Sequence, residues 1–248
     1  MPTIRLPEES EHSDGVRKMD AMIRELSKAP AMTPSTRALG LRPSLLMVNH
    51  QELAHVMATR TLLNQQKRMI ALAVAASLSA PYELVAHTRG LQREYALDDG
   101  QIVELVATIA HVTSINVFER AIAAFNDIPP MRAQDTSTPI LIEVRNKLGS
   151  IPRYFTYMAA DPKFAKIVLD REVATVLEGE VSRLNKELVA YATSVVNDAR
   201  LSVTYRAEAL RQLGMTNEQL FEATTVISVF AKNCAFSTAL QLEPTPAQ

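Results

Sequence analysis

Tyr82, Glu83 and His87 are the residues of this sequence whose types and spacing best suit chemistry. Glu83 and His87 stand four apart, so on a helix they share a face and can meet. A carboxylate beside an imidazole raises the ring's pKa and fixes its tautomer, as a general acid or base requires. The same spacing also describes a surface pair worth a few tenths of a kcal/mol, and spacing alone leaves both readings open. Among the other histidines, His50 and His55 are five apart and do not share a helix face cleanly. His111 sits among Ile109, Ala110 and Val112, the setting of a hydrogen-bonded core histidine, and His12 reads as solvated. A metal needs three or four convergent ligands. Only Glu83 and His87 have suitable spacing, so no metal and no other cofactor is expected; no phosphate-binding glycine loop is present either.

Helices must position these groups. Ala, Leu, Val, Met, Arg and Glu recur, with only 7 Gly and no Trp, a usage that favours helix. An amphipathic helix is expected from about Asp14 to Lys28, with Val16, Met19, Met22, Ile23 and Leu26 at helical spacing. Pro30 and Pro34 bracket a connection, and a second break at Gly40 and Pro43 leads into two further helices ending near Leu63. Lys67 to Leu78 is apolar almost all round, hence buried. Pro81 opens the next helix, which carries Glu83 and His87 and runs to about Tyr95. Asp98 or Asp99 caps a long helix reaching Phe125.

The formal charge is −1 and no dense basic stripe occurs, which excludes partners held by bulk charge, nucleic acid and anionic membrane included. Cys234 is the one cysteine, so no intramolecular disulfide forms. The first residues lack an apolar leader, and the apolar stretch Met69 to Ala80 falls short of the roughly 20 residues of a membrane span. A cytoplasmic protein acting on a small molecule is expected.

The pattern then restarts. Lys67-Arg68-Met69-Ile70-Ala71-Leu72-Ala73 matches Lys186-Glu187-Leu188-Val189-Ala190-Tyr191-Ala192 at an offset of 119, and Leu91 matches Leu210. One residue less aligns Gln101-Ile102-Val103-Glu104 with Gln219-Leu220-Phe221-Glu222. Agreement in order points to an all-α chain made by tandem duplication of one helical unit. The expected parts are an N-terminal helical extension (1–35), a first repeat (36–126), a linker (127–138) rich in proline and small polar residues, and a second, degenerate repeat (139–248).

The small apolar run before Tyr82-Glu83, the His87 that follows and Leu91 resemble the alkylhydroperoxidase-D and carboxymuconolactone decarboxylase superfamily. The resemblance takes in Asn49-His50-Gln51-Glu52-Leu53 and the helix from Gln101 to Asn116, and covers most of each half. Its peroxidase branch needs a Cys-x-x-Cys pair. Here those positions hold Ala80 and Glu83, then Ala199 and Ser202, and the resemblance implies no thiol peroxidase. The decarboxylase branch reads Tyr-Glu-x-x-x-His, as Tyr82, Glu83 and His87 do.

That branch implies a cofactor-free lyase, or a related isomerase or hydrolase, acting on a small carboxylated lactone or oxo-acid. His87 would move the proton, Glu83 would orient it, and Tyr82 would complete the catalytic group, with Arg68 and His50 binding substrate. The alternative is a non-catalytic binding or scaffold protein that kept the fold. Two departures bear on the choice: the family's preceding Glu is Arg68 in the first half but Glu187 in the second, and Arg206 replaces the second histidine. Arg68 is either a substrate-carboxylate clamp or the ion-pair partner of Glu83. The resemblance also implies self-association, as a trimer or a dimer.

Overall fold

The computed structural model describes residues 2–27, 31–58, 60–124 and 135–244, without the side chains of residues 26 and 27. Its described residues form helices and connecting turns, with no strand among them. The chain divides into two compact units, Met1–Leu91 with Glu222–Gln248, and Gln92–Phe221.

The first unit holds α1 (Asp14–Ser27), α2 (Pro34–Leu39), α3 (Pro43–Met57), α4 (Asn64–Ser77), the start of α5 (Pro81–Tyr95) and most of α12 (Asn217–Ala239). Proline occupies the first turn of α2, α3 and α5, where its missing N–H costs nothing. Thr33 caps α2 by accepting the Thr36 N–H at 3.2 Å. A single helix, α3, stands where two were expected, and ends at Met57. Residues 60–63 do not continue the helix, because the Thr61 and Leu62 N–H groups donate to the Glu222 carboxylate instead. α4 is buried on every side, Ile70 to Ala75 being wholly inaccessible. His12 is buried rather than solvated, because its ring packs over Gly40, where even a Cβ would lie 2.7 Å from Cε1.

The second unit holds α6 (Asp99–Ala124), α7 (Pro139–Leu148), α8 (Arg153–Met158), α9 (Pro162–Glu172), α10 (Arg183–Val196) and α11 (Arg200–Gln212). A π-helical turn, Val173–Leu177, continues α9, and the Thr175 carbonyl accepts from Thr108 Oγ1 at 2.9 Å. Ile115, Leu141, Val144, Tyr154, Phe155 and Leu169 form its apolar core. α6 is long and apolar enough to cross a membrane by length and composition. It nevertheless buries Thr108, His111, Asn116 and Glu119 in polar contacts within this unit, as a core helix does.

The same devices recur along the chain at the offsets read from sequence. A left-handed residue closes the turn after the buried helix, Ser79 (φ 51°) after α4 and Asp198 (φ 51°) after α10. Asp98 and Gln101 exchange side-chain bonds at the head of α6, and Thr216 and Gln219 do so for α12. Lys67 meets Glu222 at 2.7 Å, and Lys186 meets Glu104 at 2.7 Å. α12, expected in the second repeat, lies mostly in the first unit, and α6, expected in the first repeat, lies in the second. Most of the expected linker, with Lys28 and Phe125 at the ends of two expected helices, lies outside the described residues.

Candidate active site

In the first unit α2, α3, α4, α5 and α12, with Ile23 of α1, surround a cavity of about 150 Å³. Leu46, Leu53, Met57 and Phe230 give it an apolar wall, and Arg68, Tyr82, Glu83, His87 and His50 also line it. All five site residues expected from sequence therefore face one space. Glu83 and His87 rise from the first two turns of α5, immediately after Pro81 has set the helix direction.

Glu83 is 8% exposed and His87 4%, so neither belongs to a surface pair. Their closest approach, His87 Nε2 to Glu83 Oε2, is 3.6 Å, too long for a hydrogen bond. Neither ring nitrogen of His87 has a hydrogen-bond partner among the described residues. The ring is instead held by Phe230, edge to face, with centroids 4.9 Å apart. A buried imidazole with two unmet nitrogens is completed by a ligand or water.

Burial dominates the electrostatics. It pushes the Glu83 carboxyl up to about 7, opposed by a hydrogen bond from Ser237. Burial and the Arg68 charge together push His87 down to about 3. The expectation that the carboxylate would raise the imidazole's pKa is reversed, since desolvation outweighs a neighbour that is itself largely protonated. At neutral pH the ring is uncharged, and Glu83 is the group poised to exchange a proton. Tyr82 is pushed up to about 12 by burial, although Thr33 and the Ser35 backbone hydrogen-bond its hydroxyl. The Arg68 guanidinium lies against α5 at Gly90, where an added Cβ would be 3.1 Å from Nη1.

α12 supplies what sequence reasoning missed. Phe230, Asn233, Cys234 and Ser237 come from more than 140 residues beyond Glu83 in the chain, yet Phe230 and Asn233 line the cavity. Cys234 lies close enough for the Glu83 charge to act on it, and burial pushes its thiol up to about 12, so it is no thiolate. Aligning α12 with α6 was within reach of sequence; the unit in which α12 packs was not.

The corresponding place in the second unit is filled. Arg206, 1% exposed, makes a two-pronged bond to Glu172 (2.6 and 2.9 Å) and a third to Glu187 (3.1 Å). His111 Nε2 reaches Glu172 at 2.8 Å, as expected of a core histidine. The arginine holds Glu172 down to about 2 against the cost of burial. Ser202, at the position matching Glu83, pairs its hydroxyl with Glu119 at 2.7 Å, so carboxylate and serine have changed places relative to Glu83 and Ser237.

Residues 162–242 match the carboxymuconolactone decarboxylase family. A crystal structure described as a candidate gamma-carboxymuconolactone decarboxylase subunit of Burkholderia xenovorans matches 95% of this chain and 98% of its own, with TM-score 0.67 and 15% identity. Among curated proteins there is no significant match. The chain thus has the all-α fold of the alkylhydroperoxidase-D and carboxymuconolactone decarboxylase superfamily. The sequence match lies in the half whose site is filled, whereas Arg68, Glu83 and His87 stand outside it.

Proposed function

We propose that the first unit is a cofactor-independent lyase of the carboxymuconolactone decarboxylase type, or a related isomerase or hydrolase, acting on a small carboxylated lactone or oxo-acid. The observation that carries this reading is a buried carboxyl near pKa 7 beside a neutral imidazole, with both groups on one cavity. In a decarboxylation, the C–C bond to the carboxylate breaks and its electron pair passes onto the conjugated carbonyl oxygen. Arg68 and a His87 N–H stabilise that charge. The protonated Glu83 then delivers its proton to carbon, leaving a carboxylate that water reprotonates. Tyr82 anchors the start of α2 beside the cavity, and His50 contacts substrate.

A panel of lactones and β-oxo-acids tested against wild type, His87→Ala and Glu83→Gln decides the matter. Absence of any turnover that needs these residues points to the non-catalytic binding protein, which the filled second site favours for that half.

The pH profile checks the direction of proton transfer. Because the acid form of Glu83 acts, kcat/KM should be level below about pH 7 and fall about tenfold per unit above it. A rise through pH 7 would make Glu83 a base instead. Gly90→Ala should displace the Arg68 guanidinium by a few tenths of an ångström. We expect KM to rise severalfold with a smaller change in kcat, as a 1 Å misplacement can cost about 100-fold. An unchanged KM would remove Arg68 from substrate binding.

The paired Lys–Glu contacts and turns support reading the chain as a tandem duplication whose last helices are exchanged between units. Cytoplasmic location, and self-association as a trimer or dimer, are proposals carried by the resemblance and the single cysteine.

A further inference from the structure

We infer that the first-unit cavity binds a small apolar monocarboxylate together with one proton, and that Glu83 is where the proton goes. This rests on the cavity being the functional site, and adds to that reading the class of ligand and how pH governs its binding.

Size and lining define the ligand. A space of about 150 Å³ holds a benzene-sized body, and Leu46, Leu53, Met57 and Phe230 suit an apolar one. Arg68 brings a fixed positive charge to the lining, and a planar carboxylate matches its fork of donors. The two unmet nitrogens of His87 offer one donor and one acceptor to the same ligand.

Charge defines the proton. Arg68 from α4, Tyr82 and His87 on its own helix and His50 of α3 line the same cavity as Glu83, and Cys234 from α12 lies within reach of its charge. Tyr82 and Cys234 stay neutral to about pH 12, and His87 is neutral above about pH 3. An incoming anion sets a second negative charge beside Glu83 in a desolvated space, and two like charges there cannot both persist. Protonating Glu83 removes the conflict and lets it donate a hydrogen bond to the ligand.

The test is calorimetric titration of the full chain with benzoate, at about pH 8 and pH 5.5, in pairs of buffers of different ionisation enthalpy. Uptake approaching one proton per benzoate is expected at the higher pH, and little at the lower, where Glu83 already holds its proton. Affinity should weaken towards tenfold per unit as pH rises above about 7. Benzamide, the neutral isostere, should bind at least tenfold more weakly, and Arg68→Gln should reduce benzoate to that level. Glu83→Gln should keep benzoate binding and abolish the uptake. Binding without proton uptake at pH 8 would overturn the inference and leave the cavity standing as a site. Benzoate that fails to bind, or binds no better than benzamide, would overturn the choice of ligand. Only turnover independent of both Glu83 and His87 would remove the catalytic reading itself.

Discussion

Glu83→Gln should make the protein more stable at pH 8 while reducing turnover by a factor of about 100 to 10,000. The carboxyl titrates near 7 in the folded chain against an ordinary value of 4.5. Its folded pKa is raised, so the folded state holds the proton more tightly than the unfolded one between those values. Stability from this group is therefore fullest below about pH 4.5, and is lost as pH rises to about 7. Above that, an ionised Glu83 costs roughly 3 kcal/mol. Glutamine keeps the shape and a hydrogen bond to Ser237 without the charge. The melting midpoint should rise by on the order of 5–10 °C at pH 8 and scarcely change at pH 4.5. His87 runs the other way: with its folded pKa lowered from 6.5 to about 3, its stabilising contribution is lost as pH falls through 6.5. The difference between variant and wild type, rather than either curve alone, therefore isolates Glu83. A lower midpoint at pH 8 would mean that the carboxylate is held by a partner and is structural. Stability gained where activity is lost is what a group kept for chemistry should show.

Arg206→Met is expected to have the largest effect on stability. It leaves Glu172, inaccessible to solvent, only the His111 ring, and Glu187, equally inaccessible, only a 3.9 Å contact with Arg183. Breaking such a buried pair from one side costs about 3–5 kcal/mol. Replacing both carboxylates as well, with Glu172→Leu and Glu187→Leu, should recover most of the loss, because apolar side chains of similar volume remove the desolvation cost. Urea unfolding of the single and triple variants measures both. A single variant within about 1 kcal/mol of wild type would show the network to be solvated and free to open. Arg206 is locked between two carboxylates, and Arg68 lines the cavity of the first unit, where its charge acts on His87.

Much of this was legible in the sequence because the signals are local. Pro81 at a helix start, Gln101 three residues after Asp98, and the apolar Met69–Ala75 each fix a helix or its end through neighbours in the chain. The four-residue step from Glu83 to His87 placed both on one face, and the 119-residue offset paired Lys67 with Lys186, each of which holds a glutamate. Tertiary structure decided the rest. No local pattern states that α12 packs beside α5, bringing Ser237 and Cys234 to Glu83 from across the chain. Nor does any pattern state that His111 would find Glu172. Spacing gave the contact between carboxyl and imidazole but not the sign of their pKa shifts. That sign depends on how much water the surrounding helices exclude, a property of the whole packed unit and of no single segment.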